Sequence, residues 1–201
     1  MKTARPQSAQ RGPMQVRIAV FLVCLLAFLA GLALPACGRA AESVAGEYEI
    51  KAAFLYNFAL FVEWPATAAP DSPDVFVIGV LGTDPFGRIL DEIAATKTVG
   101  NKRIVIRRFA TLDDYTPCHI LFVGVSERAR TEAVIEKLGD EPVLLVSEIG
   151  QFAQAGGTVN LVVDDNKVRF EISQTAAEHA GLKISSKLLR LARLVKTKEG
   201  G

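Results

Sequence analysis

The sequence predicts an α/β fold: a largely parallel central sheet flanked by helices, with a C-terminal antiparallel hairpin and final helices. Three observations carry that reading. Val75–Leu81, Ile120–Val125 and Val143–Val146 are short, continuous apolar runs, the pattern of strands buried on both faces. Helical segments lie between them, and strands that alternate with helices form parallel sheets through right-handed crossovers. After Ala155-Gly156-Gly157 the apolar period drops to two, which marks strands with one buried and one wetter face.

The chain opens on a basic segment, with Lys2, Arg5, Arg11 and Arg17 and no acid, followed by the apolar run Ile18–Leu34. This is a secretory signal pattern, and small residues follow as a cleavage site requires. Cleavage fits after Ala36 or after Ala40, while the length of the run leaves an uncleaved membrane anchor as the alternative. Leu34-Pro35-Ala36-Cys37 resembles the lipobox of bacterial lipoproteins, with Pro35 the departure, so lipid anchoring at Cys37 is a further outcome. Residues 1–40 are therefore expected to be a signal peptide and 41–201 a single domain delivered outside the cytoplasm. Met1–Ala40 holds five of the 23 basic side chains and none of the 22 acidic ones, leaving 18 against 22 in a mildly acidic remainder. That balance excludes the electrostatic footprint of a nucleic-acid-binding protein. Cys24 and Cys37 fall in the leader region, so Cys118 has no disulfide partner in the domain and reads as a buried, inert thiol.

The first element of the domain is the stretch Lys51–Pro65, KAAFLYNFALFVEWP. From Ala52 to Val62 only Asn57 is clearly polar, so the helix is apolar on most of its circumference and must be buried or shared. Phe54, Phe58 and Phe61 share one face, and Leu55, Ala59 and Val62 a neighbouring one. Glu47 and Lys51 pair on the entry turn, and Pro65 biases Trp64 toward extended backbone, so the helix should stop near Glu63. The apolar excess suits an isologous seam, and a homodimer is expected.

After the Pro/Ala linker Ala66–Asp74 comes the first strand. Asp84 and Pro85 then mark the start of a helix over Phe86–Ala95. Ile104–Phe109 is a strand with Arg103, Arg107 and Arg108 on a basic exposed side, and Ser126 is placed to cap a helix over Arg128–Leu138. In the hairpin, Val159, Leu161 and Val163 alternate with Thr158, Asn160 and Val162, and Asp164-Asp165-Asn166 form the turn. On the return strand Val168, Phe170 and Ile172 alternate with Lys167, Arg169 and Glu171. The charges place this hairpin at the sheet edge. Thr175-Ala176-Ala177-Glu178 has the form of a capping box for a short helix that Gly181 ends. A last helix from Ser185 or Ser186 aligns Leu188, Leu191, Ala192 and Val195 on one side, and Lys187, Arg190, Arg193 and Lys196 on the other.

No catalytic constellation emerges. Gly82–Gly87 has GxxxxG spacing, but Arg88-Ile89 stand where a phosphate loop needs Lys and Ser or Thr. The turn retains only the capacity to hold a small anion on backbone amides. Gly124-Val125-Ser126 offers no acid for a phospho-receiver site. Cys118 and His119 are strand neighbours that point to opposite faces, and with His179 they make no metal set. No cofactor is expected. What remains are docking surfaces: Arg169 and Glu171 on the wetter hairpin face; Lys183, Ser185 and Arg190 around the final helix start; and Asn57 and Trp64 on and after the opening helix, an aromatic at a helix exit being a common interface anchor.

KAAFLYNFALFVEWP, LGTDPFG, CHILFV, FAQAGGTVNLV, VRFEIS and AGLKISSKLLRLARLV together resemble the YfiR family of bacterial periplasmic regulators, in family order, from about Glu47 to Val195. The resemblance implies a protein that binds the periplasmic sensory domain of a membrane diguanylate cyclase and holds it inactive. The consequence is control of cyclic di-GMP level and biofilm behaviour. It also implies an outer-membrane OmpA-like lipoprotein, carrying a peptidoglycan-binding domain, that can sequester the repressor. A small-molecule pocket near the final helix start is implied as well, with Lys183 and Ser185 the nearest matching positions. The disulfides of some relatives have no counterpart, which separates this chain from their redox role. The competing reading is a periplasmic solute-binding sensor whose ligand sits at the carboxyl ends of the strands near Thr83, Ser126 and Ser147.

Overall fold

Apolar continuity becomes burial: every residue of Val75–Leu81, Ile120–Val123 and Leu144–Ser147 is buried in the computed structural model, which describes residues 37–68 and 72–197. In chain order the helices and strands are α1 (Cys37–Phe61), β1 (Val62–Glu63), β2 (Val75–Leu81), α2 (Arg88–Thr96), β3 (Thr98–Val99), β4 (Lys102–Phe109), β5 (Ile120–Val123), α3 (Thr131–Leu138), β6 (Leu144–Ser147), β7 (Val159–Asp164), β8 (Lys167–Ser173), α4 (Gln174–His179), β9 (Lys183–Ile184), α5 (Ser186–Leu189) and β10 (Arg193–Val195). The compact unit that contains the sheet spans Val44–Gly201. The basic segment and the apolar run of the expected leader, through Ala36, lie outside the described residues; Cys37–Ala40 begin α1. No helix among the described residues is long and apolar enough to cross a membrane.

Eight strands form one sheet in the order β10-β8-β7-β6-β5-β2-β4-β3. The β2, β4, β5, β6 and β7 neighbours pair in parallel, β7 and β8 form the antiparallel hairpin, and β3 pairs antiparallel with β4. Alternate residues divide between two cores, as the strand pleat demands. Phe76, Ile78 and Val80 of β2 join Phe122, Val146, Leu161 and Phe170 under α1, which contributes Leu55, Phe58 and Ala59. Val77, Leu121, Val123 and Leu145 face the other way, against Val134 and Leu138 of α3 and Phe152 of the following loop. The opening helix is thus chiefly a core element: from Gly46 onward, what it leaves exposed among large apolar residues is Ile50, Leu60 and Phe61.

Local chemistry explains most boundaries and corrects several expectations. Helix α1 stops at Phe61, before Glu63, because Val62 and Glu63 pair with Ile184 and Lys183 in a separate two-stranded sheet. Asp84 does not cap a helix directly; its Oδ1 accepts the Phe86 N–H at 2.7 Å, and α2 starts only at Arg88. Ser126 accepts the Thr83 N–H at 2.9 Å, so the chain passes through a 3-10 turn, Val125–Arg130, before α3. The cap of α4 is Ser173, whose Oγ accepts from the Ala176 N–H, in place of Thr175. Gly181, at φ +66°, ends that segment as expected. Asp165 and Asn166 have φ of +47° and +59°, the two positive values that a tight primed hairpin turn needs. Arg107 and Arg108 lie on opposite sides of β4: Arg107 donates to Thr116 Oγ1 at 3.0 Å, and Arg108 pairs with Asp84 and Asp91.

The largest departure is C-terminal. The last helix is only four residues, capped by Ser185, and the chain then turns into β10, which pairs in parallel with Glu171–Ser173 of β8. The hairpin is therefore not the sheet edge. A surface helix with one apolar stripe has little to bury here, whereas β10 satisfies backbone groups on an otherwise open strand.

Phe58 is fully buried between the sheet and α1. Phe58→Ala is expected to destabilise the protein by about 3–5 kcal/mol, read as a fall in the chemical-denaturation midpoint, while Lys187→Ala on the surface should stay within about 0.5 kcal/mol.

Candidate functional site

A groove of about 430 Å³ opens where α1, the hairpin and the C-terminal segment meet, lined by Phe54, Val162, Val168, Phe170, Leu191 and Ala192, with Asp164, Arg169 and Arg193 adding charge. Its floor is set by aromatic packing. Phe170 meets Phe54 edge-on at 5.1 Å and Phe58 at 5.3 Å between ring centroids. Phe58 is sealed in the core, so the half-buried Phe54 presents apolar surface to the groove. Strand β10 covers β8 only opposite Glu171–Ser173, which leaves Lys167–Phe170 with no strand neighbour on that side among the described residues. Leu191 stands 76% exposed at the opposite wall, and Leu194 and Val163 are exposed nearby in sequence and strand pairing. An open strand edge beside an apolar groove is the surface that accepts an extended segment of a partner. Arg169 Nε lies 3.6 Å from Asp164 Oδ2, an exposed pair that steers more than it stabilises.

Below the groove, polar groups hold the C-terminal strand in place. Glu171 is buried, contrary to its expected place on a wet face; it accepts hydrogen bonds from Arg193 and, at 3.1 Å, from Gln154 Nε2. The loop after β6 covers this side of the hairpin, so polar alternation there marks a hydrogen-bonded layer. Asn160 Nδ2 donates to the carbonyls of Ser147 and Ile149 at 3.1 and 3.0 Å, and Ser173 Oγ is 2.6 Å from Thr197 Oγ1.

The structure does not gather the other sequence-derived residues around this groove. Asn57 is half-buried on α1. Trp64 is half-buried too, with its indole N–H donating to the His119 carbonyl at 2.8 Å. Lys183 is exposed on β9 opposite Glu63, Ser185 caps α5 by accepting the Leu188 N–H, and Arg190 is the exposed residue that ends α5. Phe54 and Leu191 were visible in the sequence as members of apolar stripes; that they face a groove depends on β10, which no local pattern signals.

The carboxyl ends of the strands are closed by internal bonds. Ser147 Oγ, fully buried, donates to the Val123 carbonyl at 2.7 Å and accepts the Ile149 N–H. Ser126 is engaged by Thr83 and Glu127, and Arg130 grips Glu127 with two bonds of 2.8 and 2.9 Å, which holds that carboxyl below its ordinary range. Lys51, buried, bonds both Glu47 and Glu148, and the Tyr48 hydroxyl donates to Glu148 at 3.0 Å. Arg108 fills the Gly82–Gly87 turn through Asp84, Asp91 and the Gly87 carbonyl. Cys118 and His119 do point into different cores. Burial pushes the Cys118 thiol up to about 12. Burial, with Lys102 adding to it, takes the His119 imidazole down to about 4. Neither group is poised as nucleophile or base near neutral pH. Among the described residues no cluster of His, Cys, Asp and Glu could hold a metal ion.

A family profile described as YfiR/HmsC-like matches residues 48–193. Among solved structures, a conserved domain protein from Vibrio cholerae is 14% identical with a TM-score of 0.45, over 62% of this chain and 56% of that one. The ABC domain in complex with L-Trp from Streptococcus pneumoniae is 11% identical with a TM-score of 0.43, over 63% of this chain and 57% of that one. The chain thus spans a little over half the length of these structures.

Two measurements check this account. Arg193→Ala leaves the buried Glu171 carboxylate with Gln154 as its remaining side-chain partner and should cost about 3 kcal/mol in denaturant unfolding. His119 has a folded pKa near 4 against 6.5 when free, so the unfolded chain binds its proton first. Its contribution to stability is complete above about pH 6.5 and is lost as pH falls toward 4; His119→Phe should flatten that part of the stability profile.

Proposed function

Because the chain belongs to the YfiR/HmsC-like family, a non-catalytic family of regulators of diguanylate cyclase signalling, we propose that this protein is exported to the periplasm, binds the sensory domain of a membrane diguanylate cyclase and represses it. The observation that supports docking through a defined surface is the groove beside the open half of β8, with Phe54 and Phe170 on its floor and Leu191 exposed at its wall. A segment of the cyclase domain adds main-chain bonds to Lys167–Phe170 and places an apolar side chain between Phe54 and Leu191. Repression then needs only preferential binding: a preference of about 3 kcal/mol for the inactive receptor lowers the active population roughly a hundredfold.

In this reading the protein is a homodimer joined through Ile50, Leu60 and Phe61, large apolar residues that α1 leaves exposed. An OmpA-like outer-membrane lipoprotein competes with the cyclase for it. The processed leader leaves the protein periplasmic, with Cys37 available for a lipid anchor. The sensor reading finds support in the groove, whose volume falls in the range of small-molecule sites. The hydroxyls of Thr83, Ser126 and Ser147 lend it little, since Ser126 and Ser147 are engaged internally.

The test is binding of the purified protein to the periplasmic domains of the membrane diguanylate cyclases of its own genome. Association with one of them, weakened at least about tenfold by Leu191→Asp and unaffected by Lys187→Ala, is the expected result. Binding to none of them, or equal binding by Leu191→Asp, overturns it.

A further inference from the structure

A second recess, of about 250 Å³, lies on the other side of the molecule's sheet order, between the end of α1 and the amino ends of β2 and β5. We propose that it is a binding site for a small planar carboxylate. Trp64 and Phe76 form its aromatic walls, ring edge to ring face at 5.1 Å and 82°, and His119 stacks on Phe76 at 4.3 Å and 19°. Val62 and Val99 complete an apolar lining whose only charged member is Lys102.

The polar groups are of one kind. The Val77 N–H donates to His119 Nδ1 at 3.0 Å, so the neutral imidazole carries its proton on Nε2. That Nε2–H has no hydrogen-bond partner among the described residues, although His119 is only 3% exposed. Lys102 is half-buried, and its ammonium group likewise makes no hydrogen bond or ion pair among the described residues. The indole N–H of Trp64 is already taken by the His119 carbonyl, so its ring acts as a wall. The recess therefore offers two donors, one of them cationic, and no side-chain acceptor.

Such a set selects an anion, and a carboxylate can accept from both donors at once. Apolar walls exclude strongly hydrated inorganic ions and require an organic body; aromatic faces favour a flat one. The volume is below that of drug-sized sites, which limits the ligand to on the order of ten non-hydrogen atoms. A cationic ligand is opposed by Lys102. The site stands apart from the β8 groove and does not depend on cyclase binding.

Trp64 is the sole tryptophan of the chain, so its fluorescence reports on this recess. The purified protein is titrated with benzoate, benzyl alcohol and benzylamine. The expected result is a saturable change in Trp64 emission with benzoate, with at least about tenfold weaker binding for the two other probes and for benzoate to Lys102→Gln. Nitrogen-detected spectra of the wild-type imidazoles provide a readout free of any variant: benzoate should move the His119 Nε2 resonance. No saturable emission change with benzoate, equal affinity for benzyl alcohol, equal affinity of Lys102→Gln, or an unmoved Nε2 resonance each overturns the proposal.

Discussion

Strands β2, β5 and β6 are buried along their whole length, and a sheet covered on both faces dictates how everything else is placed. Side chains alternate between two cores, so one set of elements must cover each side. Helix α3 and the loop around Phe152 take one face. The other requires a long apolar element, and α1 supplies it, reaching from Phe76 across to Phe170 of the hairpin. Beside Phe170 of β8, Phe54 on the side of α1 is left half-buried. The groove exists because the helix is narrower than the sheet it must protect.

How much of this could be read from residues alone follows from the range over which each signal acts. Continuous runs such as Val75–Leu81 are decided within a few residues and fold as read; the turn read over Asp164-Asp165-Asn166 forms with Asp164 still in β7, and of the two serines read at the last helix start Ser185 is the cap. Glu171 shows the opposite case. Its neighbours alternate, which assigns it to solvent, yet Gln154 and Arg193, 17 and 22 residues away, enclose it. Arg193 itself falls on the polar stripe of an apparent helix; only the edge of β8, distant in sequence, converts that stretch to a strand. The candidate site was legible to the same extent: Arg169 and Phe54 carry local signals, while Leu191 reads as a buried helical position and is in fact exposed.

Titratable groups in the interior are arranged for persistence rather than reaction. Cys118 is held protonated and His119 unprotonated near neutral pH, and each faces a different core. Lys51 is surrounded by Glu47, Glu148 and the Tyr48 ring at 4.7 Å, which ties α1 to the loop beyond β6. Buried charge of this kind contributes little net stability over an apolar equivalent, but it penalises any shift of α1 that separates the partners.

The parallel strand β10 also has a bearing on biogenesis. It is contributed by Arg193–Val195, downstream of every other strand of the sheet, so during synthesis the sheet lacks this member until those residues have been made. Before then Glu171 has no guanidinium beside it and β8 offers a raw edge along its entire length, features that invite aggregation and proteolysis. A chain cut before Arg193 keeps every other strand of the sheet, yet it leaves Glu171 without its guanidinium and β8 without its neighbour.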